Sequence, residues 1–241
     1  MPENALNLDR VIDSMKGPIR KYGERVQELA GAKALAVTLF GAIAAGTFDS
    51  SRHTVRSVLV FQDVDLELLR QFAKEGTKLG KARIAAPLVM TPEYIKSSVD
   101  SFPLEFIEFQ QCHLCLFGPD YFSDLVFEPT HVRLQSEREV KTILIGMRQA
   151  LLAAAGKEKL FGDIEADVAE RLIRILRGLL WLHEQNEALP AEEVVTQVER
   201  EVKRGFPGLR SVLHKEGPHQ WDQFKGLYED VDALRNIIET W

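Results

Sequence analysis

Hydrophobic positions along this chain follow a helical interval, shift to short apolar runs, and then return to the helical interval for the whole of the second half. Leu8, Val11, Ile12 and Met15 have helical spacing up to Gly17-Pro18, where a break is predicted. A second helix is predicted from Ile19 through Tyr22, Val26 and Leu29, stopping at Gly31. Residues 35–40 form a short run with β-branched and aromatic members ending at a glycine, which predicts a buried first strand; residues 55–61 predict the second. The small-residue stretch 41–47 between them suits a short helix or tight turn, and a polar loop follows over 49–54. Asp65 is placed to cap an amphipathic helix whose inner face is Leu66, Leu69, Phe72 and Ala73.

Residues 84–90 predict a third strand, and Thr91-Pro92-Glu93 a helix start with Thr as the cap and Pro at the first helical position. Strand-like runs recur at 104–109 and 114–117, closed by Gly118-Pro119. Beyond about Thr130 the strand signal ends, since Val140, Ile143, Leu144, Met147 and Leu151 keep the helical interval up to Gly156. Further amphipathic segments at 168–182, 191–202 and 221–238 are separated by Leu189-Pro190, by Gly205-Phe206-Pro207-Gly208 and by Gly217-Pro218. The pattern therefore predicts an α/β domain with amino-terminal helices over 1–128 and a helical bundle over 129–241.

Composition narrows the function classes. A chain of 241 residues with 45% hydrophobic content can bury a substantial core. Its formal net charge of -6 argues against wrapping nucleic acid, which needs clustered Lys and Arg against phosphate. The start lacks a basic segment followed by an apolar one, and the longest apolar stretch, 34–48, is interrupted by Gly41 and Gly46 and is too short to span a bilayer. A cytoplasmic protein with no membrane partner is expected.

The chain has two cysteines, Cys112 and Cys115, in Cys112-His113-Leu114-Cys115. A zinc site needs four ligands and no second cysteine pair exists, and strand positions three apart point to opposite faces, so buried thiols and no metal are expected. His113, His131, His183, His214 and His219 are scattered without a neighbouring acid and nucleophile, so no triad is expected. Arg138, Lys141 and Arg148 read as a solvated face, with Glu137 and Lys141 as an i,i+4 pair, and Trp181, Trp221 and Trp241 as helix-packing anchors.

Phe40-Gly41-Ala42, Gly46-Thr47 and Leu116-Phe117-Gly118 resemble motifs of the nucleotidyltransferase superfamily related to DNA polymerase beta, including its minimal members. In that family a glycine turn after the first strand is followed by a strand with two acids, and a later strand supplies a third. The three hold magnesium against a nucleotide triphosphate. The resemblance implies an α+β fold with a nucleotidyltransferase-like mixed sheet flanked by helices, followed by an all-helical carboxy-terminal domain, in a degenerate bacterial branch. It covers about residues 29–118.

Setting Gly41-Ala42 on the family glycine motif puts Thr54 and Arg56 where the two acids would stand. A guanidinium about 4 Å from Mg²⁺ is repelled by roughly 8 kcal/mol at an effective dielectric near 20. The resemblance thus implies no catalytic residue and no metal, and a pocket binding a phosphorylated ligand or a protein partner through Gly41, Ala42, Thr47 and Arg56. Glu105 and Glu108 are the candidates for a third acid, on opposite faces of the strand predicted there, and a lone carboxylate beside Arg56 would form an ion pair. Under the alternative of an active enzyme with Mg²⁺ and a nucleotide triphosphate as cofactors, Asp63, Asp65 and Glu105 would be the acids, although Asp65 also reads as a helix cap. A third reading is a structural interaction module acting, as a monomer or a homodimer, through the helical domain.

Overall fold

Helix α1, Asp13–Ala30, runs through the Gly17-Pro18 pair at which a break was expected. In this computed structural model, which describes residues 5–51, 53–214 and 221–240, Met15, Ile19, Tyr22, Val26 and Ala30 are buried along one stripe of α1. An interior proline costs about 3 kcal/mol through its lost donor and ring clash. Burying each of Ile19, Tyr22 and Val26, at most 2% exposed, returns roughly 1.5–3 kcal/mol, so the continuous helix wins.

The chain separates into two compact units, Met1–Val99 with Glu108–Val126, and Asp100–Ile107 with Phe127–Trp241. The first holds strands β1 (Ala34–Phe40), β2 (Arg56–Phe61), β3 (Leu88–Met90) and β4 (His113–Phe117) in the order β3-β2-β1-β4. Strand β1 is antiparallel to both neighbours, and β3 is parallel to β2. The third strand is shorter than expected: Pro87 lacks a ladder donor, and Ile84 reaches Val55 only through an isolated bridge. One sheet face, with Val37, Leu39, Leu59, Phe61, Leu114 and Leu116, shares a core with α1. There the Tyr22 and Ser57 hydroxyls share a 2.8 Å hydrogen bond.

Helices α2 (Leu66–Ala73), α3 (Gly76–Lys81) and α4 (Pro92–Ser98) complete this unit up to Val99. Asp65 caps α2 by accepting from the amides of Glu67 and Leu68, and Thr91 caps α4 by accepting from that of Tyr94. The strand expected at 104–109 is instead helix α5, Pro103–Gln111. Pro103 suits a first helical position, and Leu104 with Ile107, and Phe106 with Phe109, are buried at the i,i+3 interval. The Leu104 amide, an orphan donor at that helix start, donates to Gln135 Oε1 at 2.8 Å.

The second unit carries α6 (Pro129–Ala154), α7 (Phe161–Leu182), α8 (Ala191–Val202), α9 (Pro207–His214) and α10 (Trp221–Thr240). Trp181 meets Phe127 edge-on at 5.9 Å, and Trp221 stacks near Phe224 while remaining 46% exposed. The Gly217-Pro218 break, His219 and Trp241 lie outside the described residues. Helices α9 and α10 meet through backbone at Gly208 and Gly226. A Cβ on Gly208 would lie 2.2 Å from the Gly226 carbonyl carbon, whereas one on Gly226 would meet Gly208 Cα at an ordinary 3.6 Å. Asp230, 3% exposed, accepts from the Leu209 amide at 2.9 Å, and burial pushes its carboxyl up to about 6.

Gly208→Ala should destabilise by at least about 3 kcal/mol in urea unfolding, the upper end of overpacking costs, while Gly226→Ala should be neutral or stabilising by up to about 1 kcal/mol. Equal effects would contradict the geometry. Because the folded Asp230 pKa is raised, the unfolded chain ionises first as pH rises from about 4, and stability should fall by about 3 kcal/mol by about pH 6. Asp230→Asn should flatten that slope in unfolding measured across the interval; an unchanged slope would contradict it.

Candidate functional site

Phe40, the last residue of β1, is paired with Arg56 on β2 and with His113 on β4. Directly opposed residues point to the same side of a sheet, so these three side chains form a row on the face opposite α1. In the next row inward, Thr38 is paired with Val58 and Cys115. Two polar constellations flank Phe40 at this end of the sheet.

The first is built on Arg56. Its Nη2 donates to Glu108 Oε1 at 2.8 Å, and its guanidinium carbon lies 4.8 Å from the centre of the Phe40 ring. Gly41 lies against the same guanidinium: its φ is +72°, and a Cβ there would be 3.2 Å from Nη2. Glycine is therefore required both by the left-handed backbone and by the close approach. The side chains of Arg56 and Glu108 are 30% and 16% exposed, which shields the pair from solvent more than a surface pair.

After β1 the chain makes one 3-10 turn, Gly41–Ile43, rather than a longer helix. The amides of Ala44 and Ala45 donate to Gly41 O, and that of Thr47 to Ala42 O, each at 3.0 Å. These donors close the turn on itself. Ala42 packs against the hydrophobic core, while Thr47 and Thr54 are exposed.

The acids of the enzyme alternative have other partners. Asp65 meets Lys33 Nζ at 2.9 Å and Asp63 meets it at 3.7 Å. The Lys33 ammonium, with two backbone amides, holds the Asp65 carboxyl below its usual range. In the second unit, Glu105 accepts from Gln135 Nε2 at 2.7 Å and lies 3.4 Å from Arg174 Nη1. Glu105 and Glu108 are thus separated by a helical turn, not by the strand alternation expected of them, and Glu108 is the one beside Arg56.

The second constellation was not anticipated from the sequence. Donor atoms of His113, Cys115 and Asp120 lie within 4.8 Å of one another. His113 Nε2 is 2.7 Å from Asp120 Oδ2, and its Nδ1 is 2.8 Å from the carbonyl of Phe109 near the end of α5. Cys115 and then Asp120 beside the ring hold His113 up to about 9, against partial burial that acts the other way. Burial acts to raise Asp120, but the Ser123 hydroxyl, the Phe122 amide and His113 outweigh it and hold that carboxyl down to about 2. The signal available in the sequence was His113-x-Cys115, which alternation places on one strand face, followed by a Gly118-Pro119 turn returning Asp120.

On the face of α6 expected to be solvated, the exposed Arg148 donates to the Tyr228 hydroxyl at 2.7 and 2.9 Å, and Lys141 bonds Glu137, the i,i+4 pair expected there. Among the described residues, no helix is long and apolar enough to cross a membrane.

No family model matches this chain, and no curated protein sequence matches it. Among solved structures, a spectinomycin adenyltransferase from Enterococcus, determined with ATP and spectinomycin, is similar at a TM-score of 0.60. The identity is 8%, over 92% of this chain and 98% of that one. The likeness shows a nucleotidyltransferase-like fold: a mixed four-stranded sheet flanked by helices, with a helical carboxy-terminal region.

The Arg56–Glu108 pair should show a coupling of about 1–2 kcal/mol in a double-mutant cycle of Arg56→Ala and Glu108→Ala read by urea unfolding. Additive effects would mean the pair does not form in solution.

Proposed function

We propose that this chain is a cytoplasmic, nucleotidyltransferase-like protein without nucleotidyl transfer, which binds a phosphorylated ligand, or an acidic group of a protein partner, at Arg56 beside the Gly41 turn. The observation that carries the reading is the guanidinium lying on Gly41, stacked on Phe40 and bonded to Glu108 at 2.8 Å. A cation at this position opposes a divalent metal and attracts an anion. Asp63 and Asp65 face Lys33, which further favours binding over metal-dependent transfer.

Glu108 is an internal counter-ion for Arg56. A phosphate group presents more charge and more acceptor oxygens than a carboxylate, and its gain is reduced by the pair it displaces. The turn contributes shape more than donors, because the Ala44, Ala45 and Thr47 amides are already bonded within it. On this reading no Mg²⁺ is needed. A protein partner at the helical domain is supported by a separate observation: Leu134, Ile145 and Leu152 on α6 are 62%, 56% and 80% exposed.

Calorimetric titration with ATP, with Mg²⁺ supplied or chelated, tests the proposal. Binding should persist without Mg²⁺, vanish in Arg56→Ala, and tighten by about tenfold, ~1.4 kcal/mol, in Glu108→Gln. A signal that strictly requires Mg²⁺ and is indifferent to Arg56→Ala would contradict it, as would transfer of AMP to any acceptor.

A further inference from the structure

We propose that His113, Cys115 and Asp120 form a binding site for a borderline-soft divalent transition metal, zinc foremost, with His113 Nε2, Cys115 Sγ and an Asp120 carboxylate oxygen as ligands. The site uses none of the charged groups of the Arg56 constellation and does not depend on the function proposed for it.

Three features distinguish this cluster from a chance meeting of polar groups. The first is donor geometry. Zinc bonds of about 2.0–2.3 Å at tetrahedral angles place donors roughly 3.3–3.8 Å apart. Here the three donors already lie within 4.8 Å of one another, and the 2.7 Å contact between Nε2 and Oδ2 only has to open as metal replaces the proton between them.

The second feature is support behind each ligand. His113 Nδ1 lies 2.8 Å from Phe109 O, a contact that fixes Nδ1 as the donor and directs Nε2 toward the other two groups. Asp120 Oδ1 accepts from the amides of Phe122 and Ser123 at 2.8 and 3.2 Å, and Oδ2 accepts from the Ser123 hydroxyl. Thr38 Oγ1 is 4.0 Å from Cys115 Sγ, placed to donate to a thiolate. The return of Asp120 to His113 depends on Gly118, whose φ is +80° and where a Cβ would lie 2.1 Å from Leu35 O.

The third is the exclusion of a nucleophilic triad. That arrangement needs one imidazole nitrogen for the acid and the other for the thiol. In this cluster Nδ1 is committed to a backbone carbonyl, and Nε2 is the nitrogen that meets the acid. No basic ring nitrogen is left to deprotonate Cys115, whereas a metal bound at Nε2 needs none. The mixed nitrogen, sulfur and oxygen donors disfavour Mg²⁺ and Ca²⁺, which take oxygen sets. Three protein ligands leave a fourth position for water or an external donor, and the side chains of His113 and Asp120 are 13% and 33% exposed, so the site is reachable.

The untagged full-length chain, reduced and treated with chelator, should be titrated with Co²⁺ and followed by absorbance. The expected result is one Co²⁺ per chain with a thiolate-to-cobalt charge-transfer band, displaced by Zn²⁺. Cys115→Ser should abolish the band with unchanged circular dichroism, Asp120→Asn should weaken binding at least about tenfold, and Cys112→Ser should leave it intact. Should Cys115→Ser fail to fold, the wild-type chain still decides: Zn²⁺ should protect Cys115 but not Cys112 from alkylation, read by fragment mass spectrometry. Absence of the band in the wild-type chain, its loss with Cys112 instead of Cys115, or equal alkylation of both cysteines with and without Zn²⁺ would overturn the proposal.

Discussion

The pairing of β1 with strands on both sides is the constraint from which the rest of the first unit follows. It sets Arg56, Phe40 and His113 in one row across β2, β1 and β4. Residues adjacent to them in sequence, Ser57, Leu39 and Leu114, point to the opposite face, where Leu39 and Leu114 join the core shared with α1. A slip of one residue would send the arginine and histidine into that core and expose Leu39 and Leu114, so burial fixes the register. Phe40 separates the two polar groups: the Arg56 guanidinium lies over its ring, and Phe109, 4.6 Å away, continues the aromatic contact to Phe122 beside His113.

Electrostatics then distinguishes the fold from the chemistry. A glycine turn after a first strand is compatible with holding a nucleotide, but the charge at the start of the next strand decides what the turn attracts. Here that charge is positive and is balanced by Glu108 from the segment that precedes β4. Half-buried charge pairs of this kind stay formed because removing either partner leaves the other poorly solvated. The same reasoning applies on the other side of Phe40, where His113 lies against Asp120 and a helix-end carbonyl.

Much of this arrangement was legible from residue order. The apolar runs ending at Phe40 and Phe61 gave β1 and β2, Asp65 and Thr91 gave their helix caps, and the position of Arg56 beside a glycine turn suggested an ion pair with a carboxylate. Helix α5 was not legible because Leu104, Phe106, Ile107 and Phe109 satisfy a buried strand and a buried helix equally, and Pro103 was the local feature favouring the helix. Pro18 misled in the opposite sense, because the burial around it outweighs its local cost. The His113 cluster was not legible because it does not use the Cys112–Cys115 spacing. Its third member lies seven residues from the histidine, beyond a turn whose geometry depends on Gly118.

Anion binding at the Gly41 turn, as proposed, requires that the Arg56 guanidinium, and not a divalent cation, fill the space beside it. Amide chemical shifts of Gly41 and Arg56, followed by NMR while Mg²⁺ alone and then AMP with Mg²⁺ chelated are added, test it most directly. Mg²⁺ alone should leave both signals unmoved, and AMP should shift them. Movement of both signals on addition of Mg²⁺ alone would contradict it.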